Sequence, residues 1–224
     1  MKKNLFIFVL VALLCLSACS APVADNPGTT ETKPTASSVP ETTPTEPSKS
    51  DALEFEPGYF PIPKEPATFT YLSGAGAWQS VMDINTDGTF SGRYQDAEMG
   101  SSGEGYNSTY YVCDFSGVFT DVEKVNSYTY KVRLSDLNTA EPVGKEWIDK
   151  EIRYIAAEPH GLTDPLGKQE CEEFIVYMPT APVSELSEDF LSWWPYSGEN
   201  KETLSCFGLM NVTTNAGFFY IPEA

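Results

Sequence analysis

The sequence has little positive charge and a single histidine. Its 224 residues include 14 lysines and arginines against 32 aspartates and glutamates, a formal net charge of -18, and His160 is the one histidine. Because proteins bind a phosphate backbone mainly through lysine and arginine, this balance excludes nucleic acid as a partner. One histidine and five scattered cysteines argue against a zinc finger or a histidine-rich centre, so we expect no metal and no cofactor. The apolar fraction of 41% is nevertheless too high for a wholly disordered chain.

The first twenty residues have the pattern of an export signal. Lys2 and Lys3 precede an unbroken apolar run, Leu5–Leu16, whose helical length of about 18 Å is too short for a hydrocarbon core of ~30 Å. The next residues, Leu16-Ser17-Ala18-Cys19, resemble the lipobox of bacterial lipoproteins at all four positions. The resemblance implies cleavage before Cys19 and acylation (diacylglycerol, palmitate) of that cysteine. It also implies a location at the cell membrane, on its extracytoplasmic face, while ordinary cleavage without a lipid is the alternative.

Composition divides the remaining chain into segments. Residues 19–50 comprise the lipidated cysteine and a tether, because 18 of the 31 residues from Ser20 to Ser50 are Pro, Ser or Thr. Such a segment buries too little apolar surface to offset its ordering entropy, so we expect it to be disordered. Residues 51–66 then form an irregular, proline-containing lead-in, and residues 67–224 a single domain of ordinary size. Residues 1–18 are the signal peptide.

Alternating apolar and polar residues predict an all-β domain. Asp87-Gly88 lies between two alternating runs, which is a strong hairpin signal. Eight strands are expected in all, at Val81–Ile84, Thr89–Tyr94, Tyr111–Thr120, Tyr128–Leu134, Ile152–Ala156, Phe174–Met178, Leu204–Val212 and Gly217–Ile221. One helix, Val183–Trp194, is predicted, with Ser184 or Ser187 as its N-cap and Pro195 after its end. Mostly sequential strands with one short helix predict an antiparallel up-and-down barrel.

One short motif resembles a known family of barrels. Gly76-Ala77-Trp78, directly before the first hairpin, resembles the Gly-x-Trp opening of the lipocalin and calycin barrels. The resemblance implies that Trp78 plugs one barrel end, although the late-strand Arg or Lys that calycins pack over this Trp has no good counterpart after Arg153. The wider run over about residues 70–195 is similar to uncharacterised lipoproteins of Gram-positive anaerobes, which implies no activity.

Two acidic patterns are candidate calcium sites. Asp83-x-Asn85-x-Asp87-Gly88 matches the first half of an EF-hand loop, but Tyr94 stands where the bidentate Glu should close it. The hairpin is therefore the preferred interpretation. Asp96, Glu98 and Glu104, in a glycine-rich loop before Tyr106, are expected to be solvated rather than metal-bound.

Three further features bear on a site. His160 has no nucleophile motif around it, so we interpret it as a turn histidine rather than a general base. The densest aromatic cluster runs from Phe190 to Tyr196, and although core packing is favoured, Trp193, Trp194 and Tyr196 are the first candidates for ligand contact. The cysteines of the domain, Cys113, Cys171 and Cys206, allow either one disulfide in any of three pairings or free thiols.

These observations predict a surface-tethered, non-enzymatic binding or interaction module. Its partners would be the membrane, through the lipid, and an unknown small molecule, glycan or envelope protein, and we expect a monomer. Two alternatives remain: a cell-wall-acting hydrolase that uses paired carboxylates, and a structural or assembly lipoprotein that binds an envelope protein.

Overall fold

A computed structural model describes residues 53–98, 100–195 and 202–220. Cys19, Tyr196 and the proposed signal peptide and tether lie outside the described residues. Ten strands are present, and in chain order they are β1 Ala67–Leu72, β2 Trp78–Ile84, β3 Thr89–Glu98, β4 Ser108–Lys124, β5 Thr129–Thr139, β6 Glu146–Asp149, β7 Ile152–Ala156, β8 Glu173–Tyr177, β9 Gly208–Asn211 and β10 Gly217–Tyr220.

Eight of these strands close into an antiparallel barrel. The order around it is β1-β2-β3-β4-β5-β8-β9-β10, and β10 pairs with β1 through Phe69 opposite Tyr220. The pairing of β3 with β4 runs over ten residues, from Thr89 opposite Val118 to Glu98 opposite Thr109. Every barrel strand is therefore paired on both sides, and the up-and-down barrel expected from the alternation is confirmed.

The barrel interior is filled with side chains. All eight barrel strands contribute to one buried cluster, with Phe69, Met82, Phe90, Phe119, Val132, Phe174, Leu209 and Phe218 as one member from each strand. The lead-in adds Phe60, whose ring centroid lies 5.4 Å from that of Phe119. These side chains alternate with outward-facing residues along each strand, as the period of two requires.

The strand predictions missed β1 and β6, and one predicted strand lies outside the barrel. β1 was not among the predicted strands, although Ala67, Phe69 and Tyr71 alternate inward along it. Ile152–Ala156 is a strand, but it lies outside the barrel, because it pairs in parallel with the first residues of β4 and antiparallel with β6. β6 and β7 thus form a hairpin that extends the sheet beyond the barrel, and we call it the flange.

The predicted helix is also shorter than expected. Val183–Glu185 is a 3-10 turn and Glu188–Leu191 is one turn of α-helix (α1), while Leu186 between them is extended. Ser187 caps α1, because its hydroxyl accepts a hydrogen bond from the backbone N–H of Phe190. Among the described residues no helix is long and apolar enough to cross a bilayer.

α1 covers the outside of the barrel rather than one of its ends. Phe190 stacks on Phe219, with ring centroids 4.9 Å apart, and its ring lies against Gly208 and Gly217. Trp194 is buried in the same outer cluster. A side chain at either glycine would meet the Phe190 ring, so these two positions allow the helix to approach the sheet closely.

Candidate functional site

One end of the barrel is closed by a loop segment and a group of aromatic rings. At this end lie the β1–β2, β3–β4 and β9–β10 connections, together with the long excursion from β5 to β8. We call it the mouth. Residues 157–163, which follow the flange, cross it, and we call them the strap.

The strap is held by an apolar anchor and by hydrogen bonds that include two from buried side chains of the barrel. Leu162 is fully buried in the core cluster. The Ser80 hydroxyl donates to the backbone oxygen of His160 at 2.7 Å, and the Asn211 side-chain amide donates to that of Gly161 at 3.0 Å. Ser80 and Asn211 are themselves fully buried, so these bonds satisfy polar groups that would otherwise be costly to bury.

Five aromatic side chains meet beside the strap and form the mouth cluster: Tyr71, Trp78, Tyr94, His160 and Trp193. The His160 ring centroid lies 4.6 Å from that of Trp78, 5.3 Å from Tyr94 and 5.4 Å from Tyr71, on which it stacks. Trp193 contacts Tyr71 at 4.8 Å and Trp78 at 5.9 Å. Tyr71 is buried, whereas the other four side chains are half-buried and keep part of their surface exposed.

Burial dominates the electrostatics of the mouth cluster. It lowers the pKa of His160, and the nearby Asp96 carboxylate opposes this effect. Burial, with Asp96 as a further cause, raises the pKa of Tyr94 to about 12. His160 is therefore neutral near pH 7, and Tyr94 is a protonated phenol beside a carboxylate.

Trp78 lies at a barrel end, as the calycin resemblance implied, but it is half-buried rather than sealed in the core. Its neighbours are Tyr71, His160 and Trp193. Arg153 lies over the Tyr106 ring at 5.5 Å and pairs with Glu146 at 2.8 Å. Arg153 is thus engaged with Tyr106 and Glu146, and the ring that lies nearest to Trp78 is that of His160, at 4.6 Å.

The predicted ligand contacts separate in the structure. Trp194 is 5% exposed and belongs to the outer cluster under α1. Trp193 is half-buried and contacts both the outer cluster and the mouth. Trp193 thus belongs to the mouth cluster, whereas Trp194 packs under α1. Tyr196 lies outside the described residues.

The acidic candidates form turns and strands. The Asp87 carboxylate accepts from the backbone N–H and the hydroxyl of Thr89, and these hydrogen bonds lower the pKa of Asp87. The Asn85 side-chain amide also donates to the Thr89 hydroxyl. These hydrogen bonds stabilise the turn of the predicted hairpin. Asp96 and Glu98 were expected in a loop, but both lie in β3. Among the described residues no group of His, Cys, Asp and Glu has the arrangement of a metal site.

The three cysteines of the domain are free thiols. Cys113 points into the barrel core and Cys206 lies in the outer cluster. Burial raises the pKa of both thiols to about 11. Cys171, which is half-buried, lines a shallow cavity of about 410 Å³ between the end of β5 and the residues after the strap.

The sequence analysis did not predict that the five residues of the mouth cluster are neighbours. Tyr71 and Trp193 are 122 positions apart, and His160 reaches the rings only because the strap turns back over the barrel end. The Gly-x-Trp motif was the one sequence signal for this end, and it identified Trp78 alone. Which rings become neighbours depends on how distant strands and segments pair, and local patterns do not specify that pairing.

In comparisons with known proteins, no family model, no curated protein and no solved structure matches this chain.

Proposed function

We propose that the protein is a lipid-anchored, extracytoplasmic binding module that acts without catalysis and uses the mouth cluster as its ligand surface. The observation that supports this site is the filled interior together with the half-buried rings at the mouth. A packed barrel leaves no internal volume for a ligand of the lipocalin type, so recognition has to use the outer surface. Trp78 and Trp193 offer apolar faces there, and Asp96 offers a carboxylate.

Two acids with lowered pKa values are poor candidates for the general acid of a hydrolase. Hydrogen bonds from backbone N–H groups lower the pKa of Asp164, and hydrogen bonds from Thr89 lower that of Asp87. A carboxylate hydrolase needs one acid whose pKa is raised, so that it can protonate a leaving group. Asp87 and Asp164 are shifted in the opposite direction and are unsuited to that task.

The binding proposal is tested by a glycan and peptide array screen of the full-length protein. We expect at least one bound ligand whose affinity falls about tenfold or more in Trp193→Ala, because aromatic contacts dominate such surfaces. Trp147→Ala is the matched control, since this half-buried tryptophan stacks on Tyr154 in the flange and is not part of the mouth cluster. Equal effects of the two variants on every ligand would contradict the site.

The anchor is a separate part of the proposal and has its own test. Removing the thiol in Cys19→Ala should release the protein into the medium or leave it unprocessed, because the thiol is the group that would be acylated. Cys171→Ala, which removes a thiol from the domain, should leave localisation unchanged. Retention of Cys19→Ala on membranes in high salt would refute lipid anchoring.

A second candidate function is assembly with an envelope protein, and the flange favours it. Among the described strands, β6 ends the sheet order, so one of its edges has no strand partner. Exposed sheet edges can accept an added strand from a partner. The Lys145 carbonyl accepts from the Ala156 N–H, so by alternation Ile148 directs its backbone N–H outward. Loss of a partner in Ile148→Pro, but not in Trp193→Ala, would favour this function over the first.

A further inference from the structure

The mouth cluster combines half-buried aromatic rings with a negative charge. Trp78 and Asp96 are directly opposite each other in the pairing of β2 with β3, so their side chains stand side by side on the same face of the sheet. Tyr94 lies two residues before Asp96, on that face, and interacts with its carboxylate. Indole, phenol and carboxylate groups thus border one small surface at the barrel end.

The charge of Asp96 is not neutralised by a basic side chain of the described residues. Ion pairs join Arg93 to Asp114, Arg133 to Glu172, Lys145 to Glu141 and Arg153 to Glu146, and none of these four includes Asp96. Glu98, the next residue on the same face of β3, interacts with the Tyr111 hydroxyl at 3.4 Å. The charge of Arg153 also acts on Tyr111, but Arg153 is paired with Glu146, so Asp96 and Glu98 leave this end net negative. On a chain whose formal charge is already -18, this disfavours anionic ligands.

One member of the mouth cluster, the His160 imidazole, is a nitrogen heterocycle surrounded by the other rings. The His160 imidazole contacts three ring systems with centroid distances of 4.6 to 5.4 Å. Its surroundings consist of rings from β1, β2 and β3, with Asp96 on β3 as the charged group that acts on it. Cations are attracted to aromatic faces within about 6 Å, most strongly to tryptophan. Aromatic faces next to an uncompensated carboxylate are suited to an organic cation.

We propose that the mouth cluster recognises a positively charged organic ammonium group, which lies against the exposed parts of Trp78 and Trp193 beside Asp96. This inference rests on the proposed function, and it adds the chemical class of the ligand. A neutral glycan could use the same rings but would gain nothing from the charge of Asp96, and an organic anion would be repelled by it. The charge of the probe therefore distinguishes the three ligand classes.

The experiment compares three probes of one shape on the full-length protein: cyclohexylammonium, cyclohexanol and cyclohexanecarboxylate. Binding is followed by NMR titration of the indole N–H resonances of the four tryptophans. We expect cyclohexylammonium to bind about tenfold more tightly than cyclohexanol, with the shifts concentrated on Trp78 and Trp193, and cyclohexanecarboxylate to bind most weakly. Added salt should reduce the preference for the cation.

Three variants assign the preference to one carboxylate. Asp96→Asn should reduce the ammonium-to-alcohol ratio towards one, and Asp96→Glu, which keeps the charge, should retain most of the ratio. Asp83→Asn is the matched control, because Asp83 is an exposed strand aspartate on β2 whose carboxylate accepts from Thr68, away from the mouth. It should leave the ratio unchanged. Urea titrations of all three verify that each variant is folded.

Two results would overturn the inference: equal affinities for the ammonium and the alcohol, or equal effects of Asp96→Asn and Asp83→Asn. Failure of the inference is distinguishable from failure of the proposed function. Neutral glycans that bind through Trp193 without any charge preference would overturn the cation inference and leave the binding module intact. Binding that is insensitive to Trp193→Ala for every ligand would overturn both.

Discussion

The packed interior can be tested by adding one methyl group at Gly117. This glycine is buried in the middle of β4, and its neighbours come from two other strands. A Cβ atom built there lies 2.3 Å from the backbone oxygen of Asp136 and 2.5 Å from the Cζ atom of Phe90. Comfortable contacts are about 3.5–4.0 Å, so Gly117→Ala requires a displacement of more than ~1 Å.

Neither neighbour can move away easily. Asp136 presents a backbone atom of the paired strand β5, next to the register shift between Val118 and Phe119. The Phe90 ring is 4% exposed and is held against Phe119, with centroids 4.8 Å apart. Overpacking a core costs about 1–3 kcal/mol, and a clash with backbone should place this substitution near the upper value. That is a large part of a total stability of ~5–15 kcal/mol.

The assay is urea denaturation followed by circular dichroism. With a slope of about 2 kcal/mol per molar urea, a loss of ~3 kcal/mol lowers the midpoint by about 1.5 M. Gly74→Ala is the control, because a Cβ atom at this exposed loop position meets no atom within 4 Å. Its midpoint should change by less than about 0.3 M, within the usual range for surface substitutions. Equal midpoints for the two variants would mean that the interior is not packed at Gly117, and the argument for surface recognition would lose its basis.

Three further predictions follow from burial. Trp194→Ala should cost about 3–5 kcal/mol in a urea titration and Trp193→Ala distinctly less, because the first indole is 5% exposed and the second is half-buried; the reverse order would refute the assignment of Trp193 to the mouth. His160 has a pKa lowered by burial, so the unfolded chain binds the extra proton first; stability should be full above about pH 6.5 and fall as the pH drops below it, and the drop should be smaller in His160→Gln. Cys171 should react with a thiol reagent in the folded protein well before Cys113, whose pKa burial raises to about 11; equal rates would contradict the placement of Cys113 in the core.

Local patterns predicted the barrel because apolar and polar residues alternate along most of its strands. The Asp87-Gly88 turn and the alternation on either side of it correctly located β2 and β3. The same alternation could not show that Ile152–Ala156 pairs outside the barrel, since a strand's partner depends on contacts distant in sequence. The helix was predicted too long because Leu186 fits the apolar period but has an extended backbone between two short turns.

The mouth shows the limit of sequence reasoning more sharply. His160 looked like an ordinary turn residue because its neighbours in sequence carry no partner for it. Its actual neighbours are rings from β1, β2 and β3, 66 to 89 positions earlier. Trp193 and Trp194 are adjacent in sequence and were both ligand candidates, yet Trp194 is buried in the outer cluster, whereas Trp193 contacts both the outer cluster and the mouth. Only the placement of the segment after α1 separates them.

The pairing of the first barrel strand with the last has a consequence for how the protein is made. Phe69 in β1 is opposite Tyr220 in β10, so the ring of strands closes across 151 positions of chain. Loop closure of this length is entropically unfavourable, and folds dominated by such distant pairings form slowly. Until β10 has emerged, β1 and β9 each lack one neighbour, and the core lacks Phe218. Barrel closure is therefore a late event, because a newly synthesised chain stays unclosed until β10 is released.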